Sequence, residues 1–231
     1  MNKSDLSRTN RSDIIKDEWP ILISLIAVSI LYSLLAQALA ELVSLPYLSS
    51  STIRLISLAL SGTLVFMIAA GWLAKQLKFS RFMLIVLSSV VTMYLFSGVY
   101  LLVGSLPNLH GTMAGLTLLR DTAIVWIINI LIFAIWFWIM DGGGPARRRK
   151  GETSKIKDFL FSQEEIPIPG WEHWHPNYLD YFFMSLFSCS TFGPTDVRVL
   201  SRRAKLLIAM EAVISLLTLT MFVARALSLI T

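Results

Sequence analysis

An all-α integral membrane fold is predicted by three features of this chain. Apolar residues make up 55% of it, charged residues only 15%, and the mean hydropathy is +0.66. A soluble domain of 231 residues has no interior large enough to hide that much apolar surface. The apolar residues also fall in long runs, Pro20–Leu42, Ile53–Ala74, Phe82–Gly104, Thr122–Met140 and Ala204–Ile230. Each is close to the ~20 residues that cross the hydrocarbon core as helix. Third, a short apolar stretch at 178–190 runs into a tight polar turn just before the last run. The expectation is five transmembrane helices with one re-entrant loop before the last.

The elements follow in order. Residues 1–19 carry both signs of charge, unlike a secretory leader, so the first run reads as a retained span. Residues 20–140 form a four-helix membrane region. Ser61-Gly62-Thr63 and Ala69-Ala70-Gly71 supply small residues for close helix contact there. Asp141-Gly142-Gly143-Gly144-Pro145 ends the fourth helix, because the glycines are flexible and the proline lacks an amide donor. Residues 141–177 then read as a basic and interfacial linker. In it Phe159, Phe161, Trp171 and Trp174 suit the headgroup level, and Pro167, Pro169 and Pro176 forbid a long helix. Residues 178–200 hold the short helix and the turn, and 201–231 the last helix.

Charge distribution carries topology. Lys3, Arg8, Arg11 and Lys16 precede the first span; Lys75, Lys78 and Arg81 join the second to the third. Arg147, Arg148, Arg149, Lys150, Lys155 and Lys157 follow the fourth, and Arg198, Arg202, Arg203 and Lys205 precede the fifth. With five spans all these clusters share one face. The positive-inside rule makes it cytoplasmic, with the amino terminus inside and the carboxyl terminus outside. Anionic lipid and topology account for the sequence pI near 9.5, and nucleic acid is not an expected partner.

The segment Tyr181–Leu229 has the order short helix, Thr191-Phe192-Gly193-Pro194-Thr195-Asp196, long apolar helix. It resembles the pore module of tetrameric cation channels, whose filter reads Thr-Val-Gly-Tyr-Gly-Asp in the potassium-selective members. Thr191, Gly193 and Asp196 match; Pro194 and Thr195 stand where that family has tyrosine and glycine. Met210-Glu211-Ala212 and Ala224-Arg225-Ala226 are similar to the inner helix of small bacterial channels. Asp180-Tyr181-Phe182, Thr191-Phe192, Asp196 and Ser201-Arg202-Arg203 resemble more closely a bacterial family of uncharacterised multi-span membrane proteins. The resemblance implies a pore loop at 178–200, a pore-lining last helix, a homotetramer around one axis and a bacterial inner (plasma) membrane. It implies monovalent cations as the permeant partners and the lipid bilayer as the surroundings. Charge places the 141–203 loop inside, the inverted arrangement found in ionotropic glutamate receptors.

The filter residues differ in what they permit. Carbonyl ladders that replace an ion's water shell need residues at ease with positive φ, and Gly193 supplies one such position. Pro194 fixes φ negative and Thr195 is β-branched, so a continuous ladder is not expected. Within the filter segment Thr191, Phe192, Gly193, Pro194, Thr195 and Asp196, a wider mouth lined by the hydroxyls and carboxylate of Thr191, Thr195 and Asp196 is expected instead, with little preference between potassium and sodium. Asp196 has an equal alternative as a turn cap or a partner of Arg198 or Arg202. Glu211 and Ser190 are the other polar candidates. Glu211 inside an apolar helix marks a functional position, or else anchors the short helix through Ser188 or Ser190.

Other chemistry is not expected. His173 and His175 beside Trp171 and Trp174 read as interfacial anchors rather than metal ligands. Cys189 stands alone without a basic neighbour, which excludes an internal disulfide and argues against a nucleophile. No span carries basic residues at every third position, so voltage sensing is not expected. No cofactor, metal or enzymatic activity is implied. The remaining function classes are a cation channel and a non-conducting membrane subunit that keeps a pore-like fold.

Overall fold

The computed structural model describes residues 11–43, 49–74, 76–105, 112–144, 157–166, 169, 174–194 and 196–228. Four long helices come first: α1 Arg11–Val43, α2 Ser50–Leu73, α3 Leu77–Ser105 and α4 Thr112–Met140. A 3₁₀ turn at Asp141–Gly143 stops α4. Then follow a short strand β1 Phe159–Phe161, one turn of helix α5 Ser162–Glu165, helix α6 Tyr178–Thr191, strand β2 Val197–Val199 and helix α7 Arg202–Ser228. Among the described residues five stretches are long and apolar enough to cross a membrane: Trp19–Ala36, Ser50–Leu73, Lys78–Gly104, Leu116–Met140 and Arg202–Ala224. The chain is thus a mostly helical, multi-pass membrane protein, with one small β ribbon as its departure from all-α.

Local chemistry sets the ends. Ser49 caps α2, its Oγ accepting from Thr52 N at 3.2 Å. The α2–α3 connection is short enough to force the two helices antiparallel and adjacent. Gly71 lets them touch, since a Cβ there would collide with Ser80 Oγ; Gly62, by contrast, faces open space. Gly142 and Gly144 take φ of 58° and 98°, which side-chain-bearing residues rarely adopt, and so let the chain turn off α4.

Helix α4 is the centre of the packing. It is apolar all round, and its span is the most buried of the five. Ile128, Ile132, Phe133, Ala134, Ile135 and Phe137 lie fully inside. Helices α1 to α4 close a bundle through α1–α2, α2–α3, α3–α4 and α1–α4 contacts, and α6 and α7 pack on the remaining side of α4. Trp136 Nε1 donates to Thr92 Oγ1 at 2.9 Å, tying α4 to α3. Large apolar side chains are left exposed on several helices, such as Ile23 on α1, Phe66 on α2, Met93 on α3 and Val213 on α7. That pattern suits a lipid surround rather than water.

Strands β1 and β2 pair antiparallel, Phe159 opposite Val199 and Phe161 opposite Val197. Phe159 and Phe161 are buried among protein side chains. Phe159 packs edge-on against Phe137 at 5.3 Å, and Phe161 against Tyr181 at 5.3 Å and Trp174 at 5.7 Å. The ribbon therefore joins the aromatic core at the end of α4. Trp171, His173 and the basic tract Arg147–Lys155 lie outside the described residues.

Candidate functional site

Helix α6 starts with a capping box. Asn177 Oδ1 accepts from Leu179 N at 2.8 Å, and Asn177 N donates to Asp180 Oδ2 at 2.7 Å. Burial raises the Asp180 carboxyl above the usual range; these capping bonds oppose the shift and the neighbouring Asp196 adds to it. The helix then runs back along α4. At its start, Tyr178 stacks edge-on against Trp138, ring centroids 6.5 Å apart. Near its end, Cys189 Sγ accepts from Asn129 Nδ2 at 3.3 Å. From Trp138 to Asn129 is about 14 Å along the α4 axis. The chain turns at Phe192 and returns to β2, which is again level with the end of α4.

Two clasps hold the ends of this excursion. Asp141 receives Asp158 N at 3.1 Å, Phe159 N at 3.2 Å and Tyr181 Oη at 2.6 Å. It thereby ties α4, β1 and α6 together. Asp158 is fully buried and receives Arg203 Nε at 2.7 Å, Arg203 Nη2 at 2.5 Å and Ser201 Oγ at 2.5 Å. This fastens β1 to the start of α7. Ser162 Oγ also donates to Asp196 O at 2.7 Å. Arg198 pairs with Glu165 at 3.0 Å.

The far end of α6 is held by a buried polar knot. Ser185 Oγ lies within hydrogen-bonding reach of Ile130 O, at 2.8 Å, and of Glu211 Oε1. The Cys189 thiol donates to the same Glu211 oxygen at 3.4 Å. Asn129 Nδ2 also donates to Glu211 O at 3.2 Å. Ser215 Oγ donates to Cys189 O at 2.6 Å and receives Trp126 Nε1 at 3.2 Å. Ser185, Glu211, Ser215 and Asn129 are all fully buried. Among the described residues Glu211 Oε2 and Ser188 Oγ meet no partner in hydrogen-bond geometry, although the Ser188 hydroxyl is close enough to act on the carboxyl. Glu211 thus anchors the short helix through Ser185 and Cys189. Ser190, the alternative partner expected from the sequence, donates instead to Leu186 O of its own helix at 2.8 Å.

The turn itself is exposed on this single chain. Thr191, Phe192 and Asp196 are exposed, Gly193 and Pro194 partly so, and Thr195 lies outside the described residues. The positive φ expected at Gly193 falls one residue earlier, at Phe192, with φ 61° and ψ 25°. Helix α6 runs on through Thr191, so the left-handed position that ends it lands on Phe192. Thr191 Oγ1 lies 2.8 Å from Phe187 O and 2.7 Å from Gly193 O, so its hydroxyl is engaged by the backbone.

Sequence reasoning missed Asn129, Asp141, Asp158 and Ser185. Asn129 had a usable signal, being an amide deep inside an apolar span. Asp141 and Asp158 looked like ordinary loop acids. Among the described residues no cluster of three or more metal-ligating side chains occurs. No protein-family model, curated protein or solved structure matches this chain, so its function is argued from this geometry alone.

Proposed function

We propose that the chain is one subunit of a weakly selective cation channel, a homotetramer in which α4 is the outer helix, α6 the pore helix and α7 the pore-lining helix. The observation that carries this reading is the path of α6. It travels about 14 Å beside α4 and comes back within Phe192–Asp196, roughly half of a ~30 Å hydrocarbon core. Backbone at that depth must be covered by protein or line water, because lipid satisfies none of its polar groups. In one chain the turn is exposed, so further copies are needed to surround it. Asp196 lies near enough to Asp180 to push its carboxyl up, and carboxylates at a pore mouth would favour cations of either size.

Conductance of the purified protein in planar bilayers under opposed potassium and sodium gradients tests this. Weak discrimination is expected, and Asp196→Asn should lower cation current by weakening the local field. Absence of current, together with a monomeric mass in lipid nanodiscs, would overturn it. A second reading, a non-conducting subunit with a pore-like fold, is favoured by one observation. The Thr191 hydroxyl and the Gly193 carbonyl, both wanted for an ion, are bonded to each other.

A further inference from the structure

A groove of about 320 Å³ opens between α3, α4 and α7. Arg81, Thr92, Trp136, Arg203, Leu207 and Met210 are among its lining residues. We propose that it binds an anionic glycerophospholipid, with one acyl chain in the groove and the phosphate between Arg81 and Arg203. This does not rest on the channel reading, and the groove is separate from the Phe192–Asp196 turn.

The shape argues for a chain rather than water. The volume far exceeds the ~30 Å³ share of one water, and the walls offer that water little. Thr92, the polar side chain at depth, already receives Trp136 Nε1. From Arg81 to Thr92 along α3 is about 16 Å, and from Arg203 to Met210 along α7 about 10 Å. The groove therefore runs from the membrane surface toward the middle of a ~30 Å core, the depth that one leaflet's chains occupy.

The polar end argues for a phosphate. Arg81 and Arg203 stand near the first turns of α3 and α7, at the end where α4 finishes. Arg203 grips Asp158 through Nε and Nη2, and more than half of its side chain stays exposed. Arg81 is held against Gly144, where a Cβ would come within 2.9 Å of the guanidinium carbon. The mouth thus holds two guanidinium groups, one of them ion-paired to Asp158, above an apolar slot at the membrane surface, and guanidinium donors there suit an anionic headgroup.

Native mass spectrometry of the full-length protein in mild detergent, titrated with phosphatidylglycerol or phosphatidylcholine of identical chains, tests the proposal. The parent should retain one phosphatidylglycerol in at least about fivefold preference, and Arg81→Gln should remove about fivefold of that preference. Leu207→Trp leaves both arginines in place and fills the slot, so it should reduce retention of both lipids to background. Millimolar inorganic phosphate should not displace the lipid. Equal retention of the two lipids by the parent would overturn the proposal. So would undiminished retention in a folded Leu207→Trp variant, or displacement by phosphate alone.

Discussion

Replacing Tyr181 by Phe takes from the clasp that positions α6 the hydrogen bond its phenol makes to Asp141. The phenol donates to Asp141 Oδ2 at 2.6 Å, and both side chains are buried. The ring's edge-on contacts with Phe159 and Phe161, at 6.3 and 5.3 Å, survive the change. Losing a buried bond to a carboxyl oxygen should lower stability by about 2 kcal/mol, within the usual 1.5–3 range. Asp141→Ala is more severe because it strands the Tyr181 hydroxyl and the amides of Asp158 and Phe159 together. At ~1–3 kcal/mol each, and less than additive, about 4 kcal/mol is expected. In the double variant the Tyr181→Phe change should add almost nothing, giving a coupling of about 2 kcal/mol. Denaturant titration in mixed micelles, followed by tryptophan fluorescence, measures all four corners of the cycle. A Tyr181→Phe variant within about 0.5 kcal/mol of the parent, or a coupling near zero, would refute the clasp.

Three further outcomes are expected. Glu211→Leu should lower stability by about 1–2 kcal/mol, because Ser185 and Cys189 lose their shared acceptor, whereas Glu211→Gln keeps it and should stay within about 0.5 kcal/mol in the same titration. Phe192→Gly should stabilise by about 0.5–1 kcal/mol, since the left-handed backbone suits glycine, and Gly193→Ala should leave the fold unmoved because nothing lies within 4 Å of its added carbon. Any effect of Gly193→Ala on current then reports on neighbouring copies. Finally, Lys150→Cys in a Cys189→Ser background should resist membrane-impermeant thiol labelling from outside intact cells, and outside labelling would reverse the sidedness.

The five spans were legible because burial in lipid demands long apolar runs, and nothing else in the chain imitates them. Their starts were less so: α1 begins at Arg11, nine residues ahead of the apolar run, because charged residues are as helical as apolar ones and hydropathy cannot see them. The ribbon was not legible. Strands of three residues are too short to show a two-residue period, and Phe159 and Val199 meet only after the whole excursion has folded between them. Glu211 was legible as an acid in an apolar helix. Its partners were not, because they depend on how α4, α6 and α7 rotate against one another, and packing of apolar neighbours sets that. The positive φ was placed on Gly193 by composition, yet helix length placed it on Phe192.

Asp141 has a consequence for chain length. The stretch from 145 to 156 connects Gly144 to Lys157, and Asp141 already holds Asp158 by its amide. A loop whose two ends are fastened by contacts outside itself can be lengthened cheaply, each doubling adding about 0.6 kcal/mol of closure entropy. Insertions there should leave the α6 excursion in register. Between Tyr181 and Ser185 the opposite holds, because Asp141 fixes one and Glu211 the other. One added residue there has to shift Tyr181 off Asp141 or Ser185 off Glu211. A tag or reporter domain therefore belongs after Pro145, and a change in the path of α6 belongs between the clasps.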